Sequence, residues 1–262
     1  MWPQSFISQQ DFLKHIHETI QKYGEKLAAY NLDTFNRNIV DPIKLIFDKT
    51  VYNFSWEEII KNEIFRQRDK SANNSIGYFH QGMFQYIENC TVPSQGWDVI
   101  FSKDKYIELP EGDKVKTVFV EMKNKHNTMN DASSVRTYTR MQHQLLNDDN
   151  CACFLVEVIA KQSQNIPWAV SIDGTKQKHR LIRRVSIDEF YNLVTGVPDA
   201  FYQMCMILPD VIEEVVKELD KTTSPKDTVF NTLRNTADSK GGSFALALYL
   251  LGFNSYTGFK SI

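Results

Sequence analysis

Read for the spacing of its apolar and polar positions, the chain falls into three regions. Residues 1–70 follow helical spacing for the most part, and Ser55 with Glu58 three residues on reads as a capping box opening a helix toward Arg68. In RDKSANNSIGYFHQGMFQYI (68–87) the polar start reads as a loop, with a short helix to follow. Residues 71–185 carry strand signals: GWDVIF (96–101), a segment near Lys105–Leu109, the charged turn PEGDK (110–114), and KTVFVEMK (116–123). A helix is expected from about Asp131 to Leu146, then CACFLVEVIA (151–160), apolar enough to lie centrally in a sheet, then one or two strands within 166–185.

From Ser186 the spacing turns helical again, with Ser186 and Glu189 as a second candidate capping box. PDAFYQMCMILPDVIEEVVKELD (198–220) predicts a helix broken near Pro209; further helices are expected from Ser224–Pro225 and over Phe244–Leu251. The stripe Val211, Ile212, Val215, Val216 and Leu219 reads as a core-facing seam or a dimer interface. The pattern predicts a layered α/β protein, one domain with a central mixed sheet flanked by helices and with helical N- and C-terminal regions.

Composition changes this picture little. At 262 residues the chain can bury a full core, and its net charge of −2 argues only mildly against nucleic acid, since an enzyme that binds divalent metal must carry carboxylates, which hide a local basic patch in the sum. No signal peptide or membrane span is expected, so a cytoplasmic protein with no membrane partner is the expectation. Cysteines stand at 90, 151, 153 and 205 without a CxxC pair, and Cys151 and Cys153 read as buried thiols rather than zinc ligands.

Chemistry enters at VFVEMKNKHNTMN (118–130). A strand that only packs would not desolvate Glu121 and Lys123. Alternation puts Thr117, Phe119, Glu121 and Lys123 on one face, and Val118, Val120 and Met122 on the other. If GWDVIF pairs with this strand, Asp98 joins them, giving two carboxylates and one ammonium at one spot. Two carboxylates are hard oxygen ligands suited to Mg2+, and the backbone carbonyl of Met122 offers a third oxygen. Lys123 suits the holding of a water or of charge growing on a phosphate. The bland alternative is a sheet-edge ion pair worth little.

GWDVIF followed by VFVEMK resembles the Asp…Glu-x-Lys signature of the PD-(D/E)xK nuclease superfamily, with Trp97 where that pattern usually has proline. EMKNKHNTMN together with IGYFHQGMFQYI is similar to type II restriction endonucleases that cut GGNCC-type sites, over roughly residues 60 to 250. The resemblance implies a restriction-endonuclease-like core and Mg2+ held by Asp98, Glu121 and the Met122 carbonyl, with Lys123 serving the water. It also implies a homodimer that cuts double-stranded DNA at a short GC-rich palindromic site and leaves 5′-phosphates.

Candidate DNA contacts are Asn124, Lys125, His126 and Asn127 in the loop after the strand, which otherwise read as plain turn residues. Arg136 and Arg140 share a helix face with a phosphate-binding or merely solvated role, and Gln142 and His143 follow them. DGTKQKHRLIRR (173–184) is the most basic segment, and Lys178, Arg180 and Arg183 in it are expected either to track DNA or to protect an exposed sheet edge. Glu63 is a candidate further carboxylate from a helix. His126-Asn127 lacks the second histidine of an HNH site. Two rival functions stand: a structure-selective repair or recombination nuclease on the same core, and a catalytically silent DNA-binding module.

Overall fold

The computed structural model describes residues 2–26, 29–37, 39–218 and 226–253. Its contacts divide the chain into two compact units, residues 1–20 with 75–220 and residues 21–74 with 221–262. Each unit is therefore assembled from two stretches, whereas the three expected regions followed one another along the chain.

The first unit is built on a six-stranded mixed sheet. Its strands are β1 (Cys90–Thr91), β2 (Val99–Glu108), β3 (Lys114–Lys125), β4 (Cys151–Ile159), β5 (Asn165–Ile172) and β6 (Thr175–Ser186), in the order β1-β2-β3-β4-β6-β5. β3, β4 and β6 run parallel, and β2 and β5 pair antiparallel at either side. The two segments expected at 96–101 and 105–109 form one strand, β2, with an irregular register between Ser102 and Ile107. A tight Asp173-Gly174 turn, both residues at positive φ, joins β5 to β6.

Alternation sorts the side chains as expected. Val118, Val120 and Met122 join Ala152, Phe154, Val156 and Val185 in the larger core. That core is completed by residues of α1 (Gln9–Lys26), α6 (Ile187–Thr195) and α7 (Ala200–Glu218), among them Phe12, Phe190 and Val211. On the other face Cys153, Leu155 and Ile182 pack with Tyr138 and Met141 of α5 (Asp131–Asn147), with Phe119 against them. Each such side chain removed from water stabilises the fold by roughly 1.5–3 kcal/mol. Cys151 and Cys153 are buried, and Cys151 together with burial pushes the Cys153 thiol above its ordinary value.

Four expectations about helices need correction or completion. The loop expected at the polar start of residues 68–87 is helix: α4 runs unbroken from Trp56 to Met83. It contains no proline, Asn73 bonds back to Asp69 at 3.0 Å, and Phe79 and Met83 anchor its last turns in the core. α7 runs through Pro209 without ending, because Met204 before the proline and Val211 and Val215 after it are all buried in the same core. Ile212 and Val216 of the expected stripe are exposed, and Leu219 lies outside the described residues. Ser186 does precede α6, but its hydroxyl pairs with the backbone of Gln164 instead of closing a capping box. Gly82 in α4 is required by close approach: a Cβ there would stand 2.7 Å from the ring of His15.

The second unit is helical. It contains α2 (Leu32–Asn36), α3 (Pro42–Val51), the first part of α4, α8 (Val229–Ser239) and α9 (Phe244–Phe253). Its core joins Phe35, Leu45, Ile59, Ile60 and Ile64 to Val229, Leu233, Phe244 and Leu248. The helix expected from Ser224–Pro225 starts outside the described residues, and α8 begins at Val229. The Ser55–Glu58 capping box is formed: the Ser55 N–H donates to Glu58 Oε2 at 2.8 Å and the Glu58 N–H to Ser55 Oγ at 3.2 Å. No described helix is long and apolar enough to cross a membrane.

Candidate active site

Asp98 lies immediately before β2, and β3 holds it twice. Its N–H donates to the Val120 carbonyl at 2.9 Å, and its Oδ2 accepts the Met122 N–H at 2.7 Å. The register Val99↔Val120 leaves Asp98 level with the stretch of β3 that carries Glu121. Glu121 and Lys123 share the face toward α5, and Lys123 Nζ stands 2.6 Å from Glu121 Oε1. The structure thus brings the three residues singled out by spacing to one place.

α5 adds a fourth group. Arg140 Nη1 donates to Glu121 Oε2 at 3.0 Å, and its guanidinium lies 3.9 Å above the ring of Trp97. Trp97 is fixed in turn by Phe119, with ring centroids 5.6 Å apart, and by its Nε1–H to Gln144 Oε1 at 3.3 Å. Two carboxylates and two cations make a locally neutral cluster. Burial, and secondarily the Glu121 charge, push the Asp98 carboxyl above its ordinary value, against the Met122 N–H and the fields of Lys123 and Arg140.

A divalent ion fits this donor set. Asp98 and Glu121 are crowded like charges on adjacent strands, and only oxygen donors are present. Among the described residues no group of three or more His, Cys, Asp or Glu could hold a metal by itself. Two carboxylates suit an ion that completes its shell with water and phosphate.

The other expected site residues separate into two groups. Asn124 and Lys125 end β3, and Lys125 and Asn127 are exposed. His126 is tethered: its N–H donates to the Ile159 carbonyl at 3.0 Å and its carbonyl accepts from Arg184 Nη2 at 2.9 Å. Arg136 is exposed on α5, one turn before Arg140. These residues lie at the end of the sheet that carries Lys123.

The basic segment lies elsewhere. In the parallel register Lys123 is level with Glu157 and Glu157 with Ser186, so Arg180 precedes that level by six residues, about 20 Å of strand at ~3.3 Å each. Lys178 and Arg180 are exposed there, and Arg180 pairs with Asp113 at 3.0 Å. Arg183 requires a correction: it is fully buried, held by Glu111 at 2.6 Å and by Asn165, so DNA cannot reach it. A charge on this strand read as surface, but strand parity turns it into the core, where fixed partners offset the cost of its burial. Glu63 is also committed, to Arg66 at 2.5 and 2.7 Å and to Gln67 at 3.0 Å, and belongs to the second unit.

Two features escaped the sequence reading. Glu157 is buried beside Lys123 in the register and paired with Arg184 at 2.5 Å, which also clasps the His126 carbonyl. Trp97 carries the Arg140 guanidinium. The signal for Glu157 was its place in CACFLVEVIA, two residues after Leu155 on the same face; its use needed the β3–β4 register.

Comparison with known proteins points to one family of enzymes. A family profile described as Eco47II restriction endonuclease matches residues 4–217. The type II restriction enzyme Sau96I of Staphylococcus aureus is 29% identical over 221 residues, covering 81% of this chain and 81% of that enzyme. The type II restriction enzyme Eco47II of Escherichia coli is 26% identical over 223 residues, covering 81% of this chain and 88% of that enzyme. With a family profile matched over most of its length, the chain belongs to the Eco47II restriction endonuclease family.

Proposed function

We propose that this protein is a type II restriction endonuclease that hydrolyses one phosphodiester bond in each strand of a short, GC-rich palindromic DNA site, using Mg2+ and leaving 5′-phosphates. The observation that carries the proposal is the convergence of Asp98, Glu121 and Lys123 on one face at one end of β3. Asp98 and Glu121, with the Met122 carbonyl between Glu121 and Lys123, would hold the ion. A divalent ion bound there supplies a Lewis acid to the phosphate and lowers the pKa of a water. Lys123 positions the attacking water or neutralises charge that grows on the phosphate oxygens. Lys125, Asn127 and Arg136, exposed around the cluster, are placed to contact phosphates or bases, with Asn124 and His126 shaping the same loop. Arg180, about 20 Å of strand away, and Lys178, farther still, are left out of that face. A palindromic site calls for a homodimer, each copy cutting one strand. The unpaired cysteines and bacterial relatives favour a place in the bacterial cytoplasm.

The test is digestion of a sequenced plasmid with Mg2+, followed by end mapping. Discrete bands with symmetric cuts and 5′-phosphate ends are expected. A smear, or cutting confined to junctions, would point instead to a structure-selective nuclease, and binding without cleavage to a silent module.

A further inference from the structure

Both oxygens of Glu121 already carry a cation: Lys123 on Oε1 and Arg140 on Oε2. A divalent ion needs at least one of them. Lys123 is the poorer candidate to leave, because it sits two residues along the same strand and its side chain is only 29% exposed. Arg140 reaches Glu121 from α5 with a side chain 40% exposed. Its guanidinium also rests on Trp97, a platform built by Phe119 beneath and Gln144 at the indole nitrogen. A released guanidinium therefore keeps a stacking surface while its planar fork turns to another anion. The anion that arrives at this place with substrate is a DNA phosphate, and an arginine fork binds phosphate in two parallel hydrogen bonds.

We propose that Arg140 occupies Glu121 Oε2 as a stand-in for the divalent cation, and surrenders it when a DNA phosphate draws the guanidinium away. Metal loading and DNA binding then favour each other, because each removes the contact that opposes the other. The proposal rests on the nuclease reading above and names the residue that orders its two ligands. It makes Arg140 a positioning residue, not a group that performs the hydrolysis.

The test is a titration of the DNA-free protein with Mn2+, followed by loss of the free-ion EPR signal. Parent, Arg140→Gln, Arg140→Met and Glu121→Gln are compared after a melting curve confirms that each is folded; two substitutions guard against one that is not. Removal of the stand-in is expected to tighten Mn2+ binding roughly two- to fivefold, the range set by a partly exposed ion pair. Glu121→Gln is expected to weaken it, and plasmid cleavage by both Arg140 variants is expected to fall. A purely structural role for Arg140, orienting Glu121 for the metal, predicts the opposite sign. Equal or weaker Mn2+ binding by the Arg140 variants, with the parent still cutting plasmid, overturns the stand-in and leaves the nuclease intact. A parent that neither binds Mn2+ nor cuts overturns the nuclease reading and this inference with it.

Discussion

Asp98 combines two properties that pull against each other. Its carboxyl is drawn out of water, set beside Glu121, and kept there by the Met122 N–H. Asp98→Asn preserves that hydrogen bond and abolishes the charge. Together with Lys123→Ala, it is expected to lower plasmid cleavage by at least about a hundredfold while gel-shift binding of duplex DNA remains. Full activity in either variant would remove that residue from the mechanism. The raised value also makes a statement about stability. A carboxyl whose folded value lies above its unfolded one stabilises the fold most fully below about pH 4 and loses that contribution as pH rises through the folded value. Asp98→Asn is therefore expected to melt above the parent at pH 7, with the gap closing below about pH 4. A constant gap across that range would show that Asp98 is not the titrating group. The three residues were legible because a period of two and a Glu-x-Lys spacing are local. Arg140 was read only as a phosphate contact or a solvated face, since its hold on Glu121 depends on how α5 rotates against β3.

At the scale of elements, the strands and α5 were placed well because alternation and an unbroken helical stretch are local signals; the structure adds a cap, the Asn130 side chain accepting the Ser133 N–H at 2.9 Å. α4 and α7 were cut short in the reading because asparagines and a proline weaken a helix locally, while buried residues on both sides hold it together. The same packing of α4 against α1 creates a pH-sensitive seam. Burial, with His15 nearby, lowers the His80 imidazole to about 4. The unfolded imidazole titrates near ~6.5, so the unfolded chain takes up the proton first, and stability held above that value is lost as pH falls toward 4. His80→Gln is expected to lose less melting temperature than the parent between pH 7 and pH 4. Equal losses would exclude His80 as a source of the acid sensitivity.

On the scale of the whole molecule, a net charge of −2 gives no general attraction to DNA. Under the nuclease function proposed above, affinity comes from a local set of cations, Lys125, Arg136 and Arg140 foremost. Duplex binding is expected to weaken steeply as salt rises, since each phosphate contact releases counterions, and fluorescence anisotropy at several salt concentrations measures the slope. A flat response would mean that DNA is not the ligand. The basic hairpin looked like the natural DNA tracker in sequence, but only the parallel register of β3, β4 and β6 reveals its distance from Lys123.

The second unit joins helices that are far apart in the chain. Phe35, Ile59, Ile60 and Ile64 leave the ribosome long before Val229, Leu233, Phe244 and Leu248, which cover them. Those apolar side chains must wait, uncovered, until Phe244 and Leu248 have been made. A chain released before Val229 would carry a sticky, half-finished helical layer, an obvious target for chaperones and proteases.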